Sequence, residues 1–327
     1  MGRMMRLVLL AAALILVCVA PALAEEGELG RWRVKAPLPQ AMDEIGGSAV
    51  DGKVYVVGGQ TEGDDHSALV AEYDPATNTW RRRAPLPEGL SHPGVAALDG
   101  KIYVFGGFLA ARHQNARDDA FVYDPIADRW TALPKLSSPR GSVAVAALEG
   151  KVHIIGGRGL DNATVTAHEV FDPVTARWST AAPLPSARDH AGIAVLEGKI
   201  HVFGGRTRDG GFFSIADHDV YDPQGDRWTR AAPLPAARSS GAYAVLDGKI
   251  LYAGGECRPK DGPHGGETFD DVAAYDPGTE RWTMLAPLPS GRHAFAAATL
   301  DHVTYLAAGA AICGDAYSAD LLAFSFR

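Results

Sequence analysis

"EYDPATNTWRRRAPLP" (residues 72–87) sets an aromatic, an Asp-Pro step, a Trp and a Pro-Leu-Pro within one short stretch, and the chain repeats it. Aligned copies place Tyr73, Tyr123, Phe171, Tyr221 and Tyr275 before Asp-Pro. Trp80, Trp130, Trp178, Trp228 and Trp282 follow at a constant seven residues. Asp-Pro suits a tight turn, because the Asp side chain can cap it and Pro presets φ at its first central position. Each copy therefore reads strand, turn, strand.

A second unit precedes each of these: "DGKVYVVGG", "DGKIYVFGG", "EGKVHIIGG", "EGKIHVFGG" and "DGKILYAGG". Asp/Glu-Gly is a hairpin signal, and the residues after it alternate like a half-buried strand. Before it runs a small, aliphatic stretch such as "AGIAVL" (residues 191–196), suited to a strand near a crowded axis. Four antiparallel strands in a period near fifty residues is the arithmetic of a propeller blade.

The Gly-Gly pair ending the second strand, followed by Tyr and then Trp, resembles the kelch family over essentially the whole chain after residue 24. The resemblance implies an all-β, six-bladed kelch β-propeller once the ends are considered. Trp32 in "RWRVKAPLP" has a fourth-strand sequence with no hairpin before it. The carboxyl end, "HAFAAATLDHVTYLAAGA" and then "SADLLAFSFR", supplies three strands and no Trp. An open ring would leave unpaired edges, so the N-terminal strand is expected to close the last blade. The repeats then fall at about 40–87, 88–134, 135–185, 186–235, 236–289 and 290–327, with 28–39 completing the last. The last copy carries Ala308-Gly309 in place of Gly-Gly.

Residues 1–24 have the layout of a cleavable signal peptide: Arg3 and Arg6, an apolar run from Leu7 to Ala20, then "PALA". Cleavage is expected after Ala24, giving a periplasmic or secreted chain with no membrane insertion afterwards. Val17 before Cys18 argues against a lipoprotein. Removing two arginines and no acids takes the formal charge from −8 to −10, which argues against nucleic acid as a partner. Cys257 and Cys313 then remain, in corresponding loops of adjacent blades, and an oxidising compartment favours their pairing.

Function is expected where the copies differ. From the second Gly to the aromatic the spacings are 14, 16, 14, 16 and 20, so the loop joining the second and third strands varies. It emerges on the same face as the interblade segments, and long loops on a rigid scaffold are common recognition sites. In register, the interblade segments present Met42, Leu90, Arg140, Arg188, Arg238 and Arg292. Four consecutive arginines could line the channel mouth or, equally, tie neighbouring blades. After Gly-Gly come Gln60, Phe108, Arg158, Arg206, Glu256 and Ala310. Arg158, Arg206 and Glu256 would gather near that arc, and the arginine fork suits carboxylate or phosphate oxygens.

His66, His190 and His218 each neighbour a carboxylate. Adjacent strand residues point to opposite faces, however, and no close His pair appears along the chain. No metal and no cofactor is therefore expected. "NAT" at Asn162 is a glycosylation sequon.

The first reading is a monomeric exported binding module for an anionic small molecule, acidic glycan or protein segment. The second rests on similarity to exported bacterial kelch proteins such as N-acetylneuraminate epimerases. It is a cofactor-free mutarotase, with Glu256 and Arg206 or Arg188 as its acid-base and anchoring groups. A galactose oxidase-like copper site is disfavoured, since that family needs an adjacent Tyr-His pair and none of the 11 histidines follows a Tyr.

Overall fold

The computed structural model describes residues 29–63, 66–110, 113–208, 213–258, 266–314 and 316–327; the expected signal peptide lies outside them. Among the described residues, six four-stranded antiparallel sheets form the blades, and three short two-stranded ribbons lie in the segments between strands. Blade 1 runs through Gly46–Val50, Lys53–Val57, Val70–Asp74 and Thr79–Arg82. Blades 2 to 5 repeat this from Gly94, Ala144, Gly192 and Ala242. Blade 6 holds Ala296–Leu300, Val303–Ala307 and Leu321–Ser325, and its fourth strand is Arg31–Val34. The ends of the chain thus meet in one sheet, with Trp32 opposite Phe324 and their rings 4.8 Å apart. No helix among the described residues is long and apolar enough to cross a membrane.

The motif residues build the scaffold as their chemistry dictates. Asp51 and Gly52 both have positive φ (48° and 71°), the requirement of a two-residue turn that matches strand twist. The Asp of Asp-Pro caps its own turn in each copy; Asp74 Oδ1, for instance, accepts from Ala76 N at 2.9 Å. Tyr73, Tyr123 and Phe171 are fully buried in the apolar wedges between neighbouring sheets.

Two sets of hydrogen bonds run round the circumference. On the outside, each Trp indole donates to a carbonyl of the preceding interblade segment. Trp80 reaches Ala36 O (2.9 Å), Trp130 reaches Ala84 O (2.9 Å) and Trp228 reaches Ala182 O (2.8 Å). Trp32 takes its place in the same circle through Ala286 O at 3.1 Å. Nearer the axis, the second Gly of each pair donates to the next interblade segment, as Gly157 N does to Arg188 O at 2.9 Å. A Cβ on Gly156 would lie 2.6 Å from that same carbonyl, which explains the need for glycine.

A disulfide joins Cys257 to Cys313, with Cα atoms 5.5 Å apart, and ties the loops of blades 5 and 6.

Candidate functional site

The interblade segments end in a closed ring around the axis. Glu44, His92, Ser142, His190, Ser240 and Ala294 all have φ between 48° and 58°. Each backbone N–H donates to the carbonyl of the ring residue before it. His92 N bonds Glu44 O (2.9 Å), Ser142 N bonds His92 O (3.1 Å) and His190 N bonds Ser142 O (3.2 Å). Ser240 N bonds His190 O, Ala294 N bonds Ser240 O, and Glu44 N closes the circle on Ala294 O at 2.8 Å. Left-handed backbone is costly for most residues, and such strain persists only where surrounding structure over-determines it. Here six blades impose it, and six different side chains are delivered to one place.

Above this ring lies a cavity of about 310 Å³. Asp43, Glu44, Glu256, Arg158, Arg206 and Arg208 supply charge, and Gln60, Asn162, His92, His113 and His293 supply further polar groups. Among the described residues only Gly314 in the lining lacks a polar side chain.

Asp189 organises the floor. It is fully buried and pairs with Arg158, with Arg206 Nε (3.1 Å) and with His190 Nδ1 (3.0 Å). Burial alone would raise its pKa, but the contact with His190 and the charges of Arg206 and Arg158 outweigh it and hold the carboxyl well below the usual range. Arg206 Nη1 also bonds Glu256, and Arg206 Nη2 lies 3.2 Å from Nε2 of both His113 and His190. Burial would raise Glu256 too, and the Arg206 charge reverses the sign. Burial pushes the Arg158 guanidinium down to about 10 against the pull of Asp189. His92 Nε2 sits 3.0 Å from Glu44 Oε2. Glu44, raised by burial alone, is held low chiefly by His92. Burial pushes His190 down to about 4, with Arg206 adding and Asp189 opposing, and burial takes His113 lower still. At neutral pH the site therefore combines ionised carboxylates, arginines and neutral His113 and His190.

The residues expected from sequence divide sharply. Arg158, Arg206, Glu256 and His190 converge on the cavity and its floor. Arg140, Arg188, Arg238 and Arg292 do not line the mouth. Their side chains turn into the protein interior, where Arg140 pairs with Glu169, Arg188 with Asp219 and Arg292 with Asp320. Arg238 donates to Gly254 O (3.2 Å) and Asp271 O (3.1 Å). Met42 and Leu90, both fully buried, fill the same position in blades 1 and 2. Each arginine bonds a residue of the blade that its own segment leads into, where lining of the mouth or ties to the neighbouring blade were expected.

His218 is also interior, bonded to His201 Nδ1 at 2.9 Å and Ala232 O at 3.1 Å. His190 meets Asp189 despite their adjacency, because its positive φ of 52° breaks strand alternation. Asn162 faces the cavity and accepts from Arg158 Nη1 at 3.3 Å. Asp43, Glu44, His92, His113, Asp189 and His293 were not expected there. All but His113 sit one or two residues beyond the arginine register position, where the copies read Asp, Ser, Gly, Asp, Ser, His and then Glu, His, Ser, His, Ser, Ala.

Fold and site together define a six-bladed propeller with a polar axial pocket on its long-loop face. Residues 24–183 and 179–309 match the family described as the KLHDC2/KLHL20/DRC7 Kelch-repeats domain, and the chain belongs to the kelch-repeat family. No curated protein matches the sequence. The solved structure of YjhT resembles the chain with a TM-score of 0.75 at 17% identity, covering 88% of this chain and 96% of that one. At that identity the likeness concerns the fold.

Proposed function

We propose that the protein is an exported binding module whose axial pocket holds a small, polar, carboxylate-bearing molecule of about monosaccharide size. The observation that carries this reading is the pair Arg158 and Arg206. Both are anchored on Asp189, and both border a cavity of about 310 Å³ lined almost entirely by residues with polar side chains. That volume lies at the lower end of ligand pockets, which run from ~300 to 1,000 Å³. Hydroxyls of a sugar would find partners in Gln60, Asn162 and Asp43, and its carboxylate would meet the arginine forks. The Cys257–Cys313 disulfide supports export, since such bonds persist in oxidising compartments.

Hexuronic acids and their neutral hexose counterparts, titrated into the protein by calorimetry, test the idea. Acidic sugars are expected to bind and neutral ones not, with binding lost in Arg206→Ala. Equal binding of both, or binding unchanged in Arg206→Ala, would refute it.

A second reading, cofactor-free exchange at a sugar's anomeric carbon, is favoured by the Glu44–His92 pair and Glu256 facing one cavity, an arrangement suited to proton transfer. Proton NMR of a freshly dissolved acidic sugar is expected to show faster anomer equilibration with protein. An unaltered rate would dismiss it.

A further inference from the structure

We infer that His92, His113 and His190 form a binding site for one divalent first-row transition-metal ion, with Zn²⁺ the best match. Each residue comes from a different loop: His92 leads into blade 2, His190 leads into blade 4, and His113 descends from the long loop of blade 2. A ring nitrogen from each lies within 4.8 Å of the other two. His113 Nε2 and His190 Nε2 are 3.3 Å apart. For a Zn–N bond of ~2.0–2.1 Å, two corners of a tetrahedron are ~3.3–3.4 Å apart. The spacing is already that of a bound pair.

Other histidine pairs in the molecule provide a contrast. His153 and His168, and likewise His201 and His218, meet Nδ1 to Nε2 at 2.9 Å, and the remaining Nδ1 of each pair finds a backbone carbonyl. Those chains are satisfied hydrogen-bond runs. In the axial cluster, by contrast, two Nε2 atoms face each other and both lie 3.2 Å from the same Arg206 Nη2. An arginine donates only, so both Nε2 atoms present lone pairs to one point. Nδ1 of His190, the nitrogen away from that point, lies 3.0 Å from Asp189 Oδ1, and His92 Nε2 lies 3.0 Å from Glu44 Oε2. A carboxylate behind the imidazole is the usual support of a metal-bound histidine, fixing its tautomer and orientation.

Charge agrees. Asp43, Glu44, Glu256 and the buried Asp189 stand against Arg158, Arg206 and Arg208, leaving the cavity one negative charge. Arg206 Nη2 supplies the positive charge at the histidine nitrogens. A metal ion entering there would displace it toward Glu256, which its Nη1 already contacts. Three neutral imidazoles would leave the fourth corner of the metal for water or an anion, as in open zinc sites.

Untagged protein loaded with Zn²⁺ and separately with Co²⁺ tests this by calorimetry, metal analysis and visible absorption. One ion per chain is expected, with the d–d bands of four-coordinate cobalt. His113→Ala and His190→Ala should each weaken binding by more than the ~10–100-fold that loss of a supporting partner costs. His113→Ala lies in a loop and keeps the scaffold intact, which thermal unfolding would verify, and His153→Ala should bind as the parent does. Arg206→Gln should bind at least ~10-fold tighter at low salt, since it removes a like charge beside the ion. Absence of stoichiometric binding, or unchanged affinity in His113→Ala, would overturn the site. Unchanged or weaker binding in Arg206→Gln would overturn the displacement.

Discussion

The outer Trp circle and the inner ring of left-handed residues are built alike and used differently. Outside, six indoles make six copies of one bond, and the residue type never changes. Inside, six backbones make six copies of one bond while the side chains run Glu, His, Ser, His, Ser and Ala. Repetition of both bond and residue marks scaffold. Repetition of the bond alone marks a platform on which chemistry can vary without cost to the fold. One residue upstream the contrast sharpens: Arg188 and Asp189 are neighbours, yet one pairs with Asp219 inside blade 4 and the other anchors the cavity.

The largest expected effect comes from opening the outer circle. Deleting residues 25–34 removes the strand that pairs with Leu321–Ser325 and the Trp32–Phe324 contact. It should cost about 5 kcal/mol, since it removes a whole strand with its half-buried Trp32 and exposes a sheet edge. Denaturant unfolding should then lose its single cooperative transition. Next, Arg188→Ala leaves the buried Asp219 with Arg230 alone, at 3.1 Å, and should cost about 3 kcal/mol.

Acid is a milder probe. Burial depresses His153, His190 and His201 to about 4 and His218 to about 3. Their unfolded values are near 6.5, so between pH 6.5 and 4 the unfolded chain binds protons that the folded one refuses. The stability these groups contribute is complete above pH 6.5 and falls as pH drops through that window. Unfolding at pH 5 should show a loss of at least ~2 kcal/mol from pH 7, the share of one such imidazole. The smallest structural effect belongs to Arg206→Ala. Asp189 keeps Arg158 and His190 as partners, so stability should fall by no more than ~2 kcal/mol. Acidic-sugar binding, measured alongside, should disappear. If Arg188→Ala abolished binding in a still-folded protein, or Arg206→Ala unfolded it, the division between scaffold and platform would fail.

Sequence alone carried the blade count, the turn chemistry and the closing strand, because each rests on local patterns repeated five times. It also carried Arg158, Arg206 and Glu256 to the cavity, since these break the pattern right after an invariant Gly-Gly. The arginines at 140, 188, 238 and 292 were ambiguous for a physical reason. A side chain's direction at an interblade joint depends on whether the backbone there alternates, and the switch to positive φ comes two residues later. Asp189 and His190 illustrate it: strand geometry would part them, and the left-handed turn brings them to 3.0 Å. The histidine cluster was illegible along the chain, since its members stand 21 and 77 positions apart and meet only when the propeller closes.

The closing strand has a consequence for how the molecule comes into being. The first strand of the described fold finds its partner only in Leu321–Ser325, the last described strand, with all the other blades lying between the two in sequence. Until those emerge, Arg31–Val34 has nowhere to dock, and the axial ring lacks the link between Ala294 and Glu44. The pocket is therefore completed only when the two distant strands meet, and a product cut short before Leu321 would carry most of the blades yet offer no finished cavity.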